Sequence, residues 1–520
     1  MRRLCLVLLL VAVALGLTSV GPASGAVSQG PTPQAACGPG SRPETDIQGR
    51  FPKSEFTDGS FVKGHFCNAT QLGHVKSAGG YRVERYIDKA GHECAYYDST
   101  LLFPGNIAAP NGPGVYVLDM TNPAAPKLTA TLTTPAMLSP HESMRVNQAR
   151  GLIAAGQGSP GTEPAFVDVY DLTVDCRKPV RKFSGPIGIF GHESAFAPDG
   201  KTFYVTGTAA PTLTAIDLTN PSQPSIAWTT VGKGFHGMNI SDDGNTLYAA
   251  DAGRGRRGLT ILDVTQVQKR VLNPTVTEIS HFTWPTVSIP QNADPFTVKG
   301  HKYLLEIDEF NSKTLNGGST YDPNALIGAG RIIDIQDPKK PFIVSNLRLA
   351  VHETKARAGD QSKDPGGSDG AQGYAGHYCS LPTRTDPTVV GCSMIASGLR
   401  LFDIRNPAKP IEVGYFNKPT SGGGYAMSAP AYAPERNEIW YTDGNSGFYA
   451  LKLSGPARLT GAPPAARPAA KPPVTAAPPR PSGGSLPTTG LPIPLPWLAV
   501  LLSAIFVLLL AVRRVVSNGT

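Results

Sequence analysis

The chain has 520 residues, a formal charge of +8, 40% hydrophobic and 17% charged residues. The charge excess sits at the ends, in Arg2 and Arg3 and in Arg458, Arg467, Lys471, Arg480, Arg513 and Arg514, with no acidic residue beside them. Residues 27–455 are therefore formally neutral, which removes the charge argument for a nucleic-acid partner.

Residues 1–26 read as a secretory signal: two arginines, an almost wholly apolar run over 4–17, then Ala23, Ser24, Gly25 and Ala26 as a cleavage site. Cys5 leaves with it, and an even set remains: Cys37, Cys67, Cys94, Cys176, Cys379 and Cys392. An even number in an exported chain predicts disulfides. Cys379 and Cys392 flank a predicted hairpin and are expected to pair, whereas the other four leave three pairings open. Residues 27–67 form an N-terminal extension.

From residue 68 onward a short apolar strand ending in Asp, followed by a Pro-containing turn, recurs. The copies are VYVLDMTNPAAP (115–126), VDVYDLTVDCRKP (167–179), LTAIDLTNPSQP (213–224), LTILDVTQVQ (259–268), RIIDIQDPKKP (331–341) and LRLFDIRNPAKP (399–410), with GFYALKL (447–453) as a decayed last copy. Alternating aliphatics such as Val115 and Val117, or Leu399 and Leu401, suit a strand with covered faces. The Asp carboxylate can accept a hydrogen bond from the backbone just ahead, and Pro presets the turn. Two further strands joined by a tight turn precede each copy, as in SAFAPDGKTFYVTG and NISDDGNTLYAAD. A four-stranded unit of this length builds propeller blades.

These units resemble the LVIVD-repeat family, named for the strand-plus-Asp motif, over most of residues 68–455. The resemblance implies an all-β fold, a seven-bladed β-propeller, with blades near 81–134, 141–184, 192–230, 236–280, 285–350, 377–416 and 428–453. Six or eight blades are the alternatives. The seventh unit lacks a fourth strand, and residues 68–77 look like an orphan outer strand. That strand is expected to complete blade seven and close the ring, removing exposed edges.

One residue type exceeds architecture. His141, His192, His236 and His377 each stand at the start of an innermost strand, and Leu152, Phe203 and Leu247 follow the first three at the same interval. They should gather at one mouth of the channel. Imidazoles from neighbouring blades can hold a Cu, Zn or Fe ion at ~2.0–2.1 Å and can move protons near neutral pH. The copper-dependent methanethiol oxidases carry such a site, and this chain is similar to them in architecture alone. The structural alternative is a repeat histidine that bonds backbone across the blade junction. Glu142 and Glu193 follow two of the histidines and are expected on the opposite side of the strand. The fifth blade offers Trp284-Pro285 at this position, the seventh Ser428, and the first no histidine. A Gly-rich insertion over 351–376, with His352, Glu353, Asp360, Asp364 and Asp369, reads as a lid or as a polar loop.

Residues 456–485 are Pro- and Ala-rich and form a semi-rigid spacer. Leu486-Pro487-Thr488-Thr489-Gly490 then precedes an apolar run over 495–512 and the pair Arg513-Arg514. The run is long enough to span a bilayer, with the arginines on the cytoplasmic side. The order resembles the LPXTG sorting signal of sortase substrates over residues 486–520. It implies cleavage between Thr489 and Gly490, attachment to peptidoglycan and display on a Gram-positive-type cell surface; without cleavage, 495–512 stays as a membrane anchor. Two functions fit: a surface binding or scaffold module for a protein or glycan ligand at the histidine face, or a metal-dependent extracellular oxidoreductase or hydrolase.

Overall fold

The computed structural model describes residues 30–459 except 101–110, 159–164, 208–210, 254, 286–287, 312–324, 358–371 and 421–422. The expected signal peptide, most of the spacer, the sorting signal with its membrane helix and the middle of the 351–376 insertion lie outside the described residues.

Seven antiparallel sheets follow one another along the chain. Their innermost strands are Val83–Ile87, Arg145–Asn147, Glu193–Phe196, Phe235–Ile240, Ile289–Val298, Tyr378–Ser380 and Ala431–Ala433. The fold is a seven-bladed β-propeller. Its third strands carry the repeat motif, and Val115, Tyr116, Val117 and Leu118 show why: all are fully buried, because both faces of a blade are covered by its neighbours.

The turn chemistry is as the sequence requires. Asp119, Asp171, Asp217, Asp263, Asp334 and Asp403 each accept a hydrogen bond at Oδ1 from the backbone N–H two residues on, at 2.8–2.9 Å. This fixes the corner between third and fourth strands.

The ring closes through the early strand. Ala69–Lys76 pairs antiparallel with Gly447–Leu453 and supplies the fourth strand of blade seven. It carries a register break between Gln71 and Gly73. The other blades break register between third and fourth strands too, as between Val117 and Leu118 or Leu401 and Phe402. A bulge bends and twists the strand that carries it. The closing strand, distant in sequence, has the geometry of a regular outer strand.

The extension is fastened to the same rim. His65–Cys67 adds a fifth strand to blade six beside Ile411–Asn417. Glu44 and Glu412 both pair with the fully buried Arg400, the latter at 3.1 Å. Gln48 Nε2 donates to Glu412 at 2.9 Å. At the other end Ala457 and Leu459 are buried against Leu399 and Val413.

Disulfides join Cys379 to Cys392, Cys37 to Cys67 and Cys94 to Cys176. The first is the predicted hairpin pair, on directly opposed residues of two strands. The last staples blade one to blade two. Bonds of this kind are consistent with an oxidising, extracellular compartment.

Candidate metal centre at the channel mouth

The innermost strands all start at one end of the channel, so the residues at their beginnings form a layer across the axis. His192 Nε2 and His236 Nε2 lie 3.0 Å apart. The His141 and His192 ring centroids are 4.4 Å apart. His377 joins through Glu142, whose Oε1 is 3.2 Å from His377 Nε2. Glu142 Oε2 lies 3.4 Å from His192 Nε2 and 3.6 Å from His236 Nε2. The four predicted histidines and Glu142 therefore meet in one cluster.

His141 and Glu142 do not split across a strand. The turn after the innermost strand of blade two is tight, with Asn147 paired to Leu152; in blade three Phe196 pairs with Phe203. The same sequence interval therefore carries His141 beyond the strand end, into a turn with φ of 49°. From there both side chains reach the axis.

Glu193 and His352 are placed elsewhere. Glu193 is fully buried beside Arg82 and Arg145, the latter at 2.9 Å, and accepts a hydrogen bond from the Met238 N–H. Burial pushes its carboxyl up to about 7 against the pull of those guanidiniums. His352 is buried near the start of the insertion, with Nε2 on the Tyr374 carbonyl at 2.9 Å and Nδ1 accepting from the Leu349 N–H. It holds local backbone.

Four further residues complete the cluster. Glu309, the last residue of His301–Glu309, lies 3.5 Å from His236 Nε2 and 3.6 Å from His377 Nε2. Gln291 Nε2 donates to Glu142 Oε1 at 2.6 Å, and Gln372 Nε2 donates to Glu309 Oε2 at 2.9 Å. Tyr81 packs its ring 4.5 Å from His141 and 5.1 Å from His377. Gln291, not the expected Trp284-Pro285, holds the fifth blade's position in the cluster: it precedes Lys302 by the interval that separates His192 from Phe203, as Ser428 precedes Ile439. Glu309 carries no such signal, because it ends a second strand.

The imidazoles are presented as ligands. His377 Nδ1 bonds the Met427 carbonyl at 2.7 Å. A carbonyl only accepts, so Nδ1 carries a proton and Nε2 is the nitrogen turned inward. Burial holds His141 and His236 down to about 3, and lowers His192 as well, so these rings are neutral at pH 7. Glu309 is pushed well above the usual carboxylate range by burial and by the charge of Glu142. His141 and His192 are half-buried and reach solvent, whereas the side chains of His236 and His377 are only 5% and 1% exposed.

Donor atoms bound at ~2.0–2.1 Å to one ion lie about 3.0 Å apart at right angles and about 3.4 Å apart in a tetrahedron. Separations of 3.0 to 3.6 Å link His192, His236 and His377 to one another or to Glu142 and Glu309, and His141, Glu142 and His192 offer ligand atoms all within 4.8 Å. Glu142 Oε2 and His141 Nδ1 are buried with no hydrogen-bond partner among the described residues. Donor identity, spacing and the orphaned oxygen all fit a cation.

No protein-family model matches the chain. No curated protein matches it either. Among solved structures it is similar to the β-propeller domain of Myceliophteria thermophila Cps50 (Swd1), at 12% identity and a TM-score of 0.46 over 74% of this chain and 100% of that one. It is similar to a chain of Kuenenia stuttgartiensis hydrazine synthase at 14% identity and a TM-score of 0.45, over 72% and 97% of the two chains. The seven-bladed assignment rests on the sheets themselves.

Proposed function

We propose that this chain is an exported, wall-displayed β-propeller that holds one Cu, Zn or Fe ion between His141, His192, His236 and His377, and that its ligand or substrate is received at that mouth. One observation carries the reading. Glu142 and Glu309 are both buried among imidazoles, and among the described residues neither forms an ion pair with Lys or Arg. An uncompensated buried carboxylate costs several kcal/mol, and two that share a site cost more. A bound cation removes that cost. The imidazole-and-carboxylate donor set suits first-row transition metals, and Gln291, Gln372 and the Met427 carbonyl supply the orienting hydrogen bonds such sites use.

Export is supported by the leader-like start and the three disulfides. Wall attachment is supported by Leu486-Pro487-Thr488-Thr489-Gly490 ahead of the apolar run and Arg513-Arg514. Sortase and peptidoglycan are the implied partners, and a retained 495–512 segment would leave the protein on the membrane.

Elemental analysis of the purified full chain tests the centre. One ion per chain, lost in a His192→Ala/His236→Ala variant that keeps its circular dichroism, is the expected result. Metal-free protein whose thermal stability ignores chelators would contradict the reading and leave a plain binding scaffold. Deleting the host sortase should move the protein from the wall to the membrane fraction.

A further inference from the structure

Three or four residues beyond the histidine layer, the same innermost strands present a second layer. At ~3.3 Å per residue it lies about 10 Å further along the axis. Between the two, Arg82 and Arg145 clasp Glu193, and Arg82 lies 4.5 Å over the Tyr378 ring. This plug separates the histidine mouth from a cavity of about 530 Å³ at the opposite end of the channel. The volume falls in the range of small-ligand sites. Residues from the innermost strands of every blade but the third line it, Ser380 from blade six and Ala431 and Tyr432 from blade seven among them, joined by the segments that flank those two strands.

Its polar groups are planar and their charges nearly cancel. Arg82 and Arg145 are engaged by Glu193, and Arg384 donates to the Ile240 carbonyl at 2.7 Å and to Asp242 at 2.8 Å. Arg85, also on the wall, is held by Glu93 and Glu435, so each guanidinium lining the cavity already has a carboxylate partner. Glu84 and Asp294, by contrast, form no ion pair among the described residues. Asp294 accepts only from the amides of Asn239 and Asn292, and Glu84 from the Val146 backbone. Arg145 and Arg82 stand close enough to act on both carboxylates. An ammonium ligand would therefore meet positive charge as well as negative. Such a site asks for a neutral molecule that donates several hydrogen bonds. Leu381, Pro430 and the Tyr432 ring add an apolar wall to the same cavity.

We propose that this second mouth binds a neutral saccharide, whose hydroxyl groups donate to Glu84 and Asp294 and whose C–H face rests on Leu381 and Pro430. The site is independent of the metal centre and lies across the Arg82–Glu193–Arg145 plug from it.

Isothermal titration of the full chain with glucose, cellobiose and N,N′-diacetylchitobiose, against 1,4-diaminobutane and inorganic phosphate, tests the assignment. At least one saccharide should bind more tightly than either charged probe. Its affinity should fall about ten-fold or more in a Glu84→Gln/Asp294→Asn variant, since each change weakens a charge-assisted hydrogen bond. Leu381→Trp, which fills the cavity without touching its carboxylates, should abolish binding and guards against misfolding of the double variant. Metal content should be unchanged in both. Saccharide binding indifferent to both variants, tighter binding of the diamine or phosphate, or no saccharide binding at all would overturn the proposal and leave the metal reading untouched.

Discussion

Replacing Glu309 by Gln separates a metal centre from a structural histidine cluster, because the two readings predict different signs. The change keeps shape and still accepts the 2.9 Å hydrogen bond from Gln372. It removes a carboxylate that burial and Glu142 both disfavour. Without metal the variant should therefore be more stable, by about 1–3 kcal/mol, because folding no longer has to bury that carboxyl or force it into its protonated form. Over the span 30–459, unfolding entropy of about 2.1 cal/mol/K per residue gives a rise in Tm of about 1–3 °C. With metal bound, the lost carboxylate should lower affinity about ten- to a hundred-fold and so reduce the stabilisation that metal confers. Differential scanning calorimetry of chelated and metal-loaded protein reads both. A Tm change of the same sign and size in the two states would refute the reasoning.

Three other outcomes follow from single contacts. A methyl group at Gly237 would overlap the Glu193 carboxylate and the Gln291 carbonyl, so Gly237→Ala should cost about 1–3 kcal/mol in denaturant unfolding and weaken metal retention. Arg400→Met strands Glu44 and Glu412 in the buried rim; it should cost about 3–5 kcal/mol and expose residues 30–67 to limited proteolysis. Arg270 hydrogen-bonds Asp217 and, against a smaller burial penalty, holds its carboxyl down to about 2. A depressed carboxylate stabilises above its unfolded pKa and loses that stabilisation as pH falls from about 4 to about 2. Arg270→Gln should therefore be less stable at pH 7, and its deficit should shrink by under about 1 kcal/mol as pH falls towards 2, leaving only the part due to the lost bonds to Thr202 and to the Lys201 and Val267 carbonyls.

The repeat was legible because a blade is built from local pairings with its own turn chemistry: an Asp at the strand end and a Pro after it write the corner into the sequence. The ring closure was legible for the complementary reason. A unit without a fourth strand and a strand without a unit, at opposite ends of the chain, have only each other. The pairings of Cys37 with Cys67 and of Cys94 with Cys176 could not be read, since they depend on how the extension folds back and on how two blades abut.

The site was half legible. His141, His192 and His236 share a sequence interval, and the same interval marks Ser428, as expected, and Gln291, in place of the expected Trp284-Pro285. The tight turn of blade two could not be seen, and it turns Glu142 from an outward residue into the hub of the cluster. Glu309 and Gln372 enter from a second strand and from the end of the insertion. Axial convergence is a property of the closed ring, and no local pattern encodes it.

X-ray absorption of the full chain, purified without added metal, tests the central claim most directly. The account predicts an edge for Cu, Zn or Fe with nitrogen and oxygen neighbours at ~2.0–2.1 Å, outer-shell imidazole scattering, and loss of both signals in His192→Ala/His236→Ala. Absence of any edge, or a shell of sulfur neighbours, would contradict it.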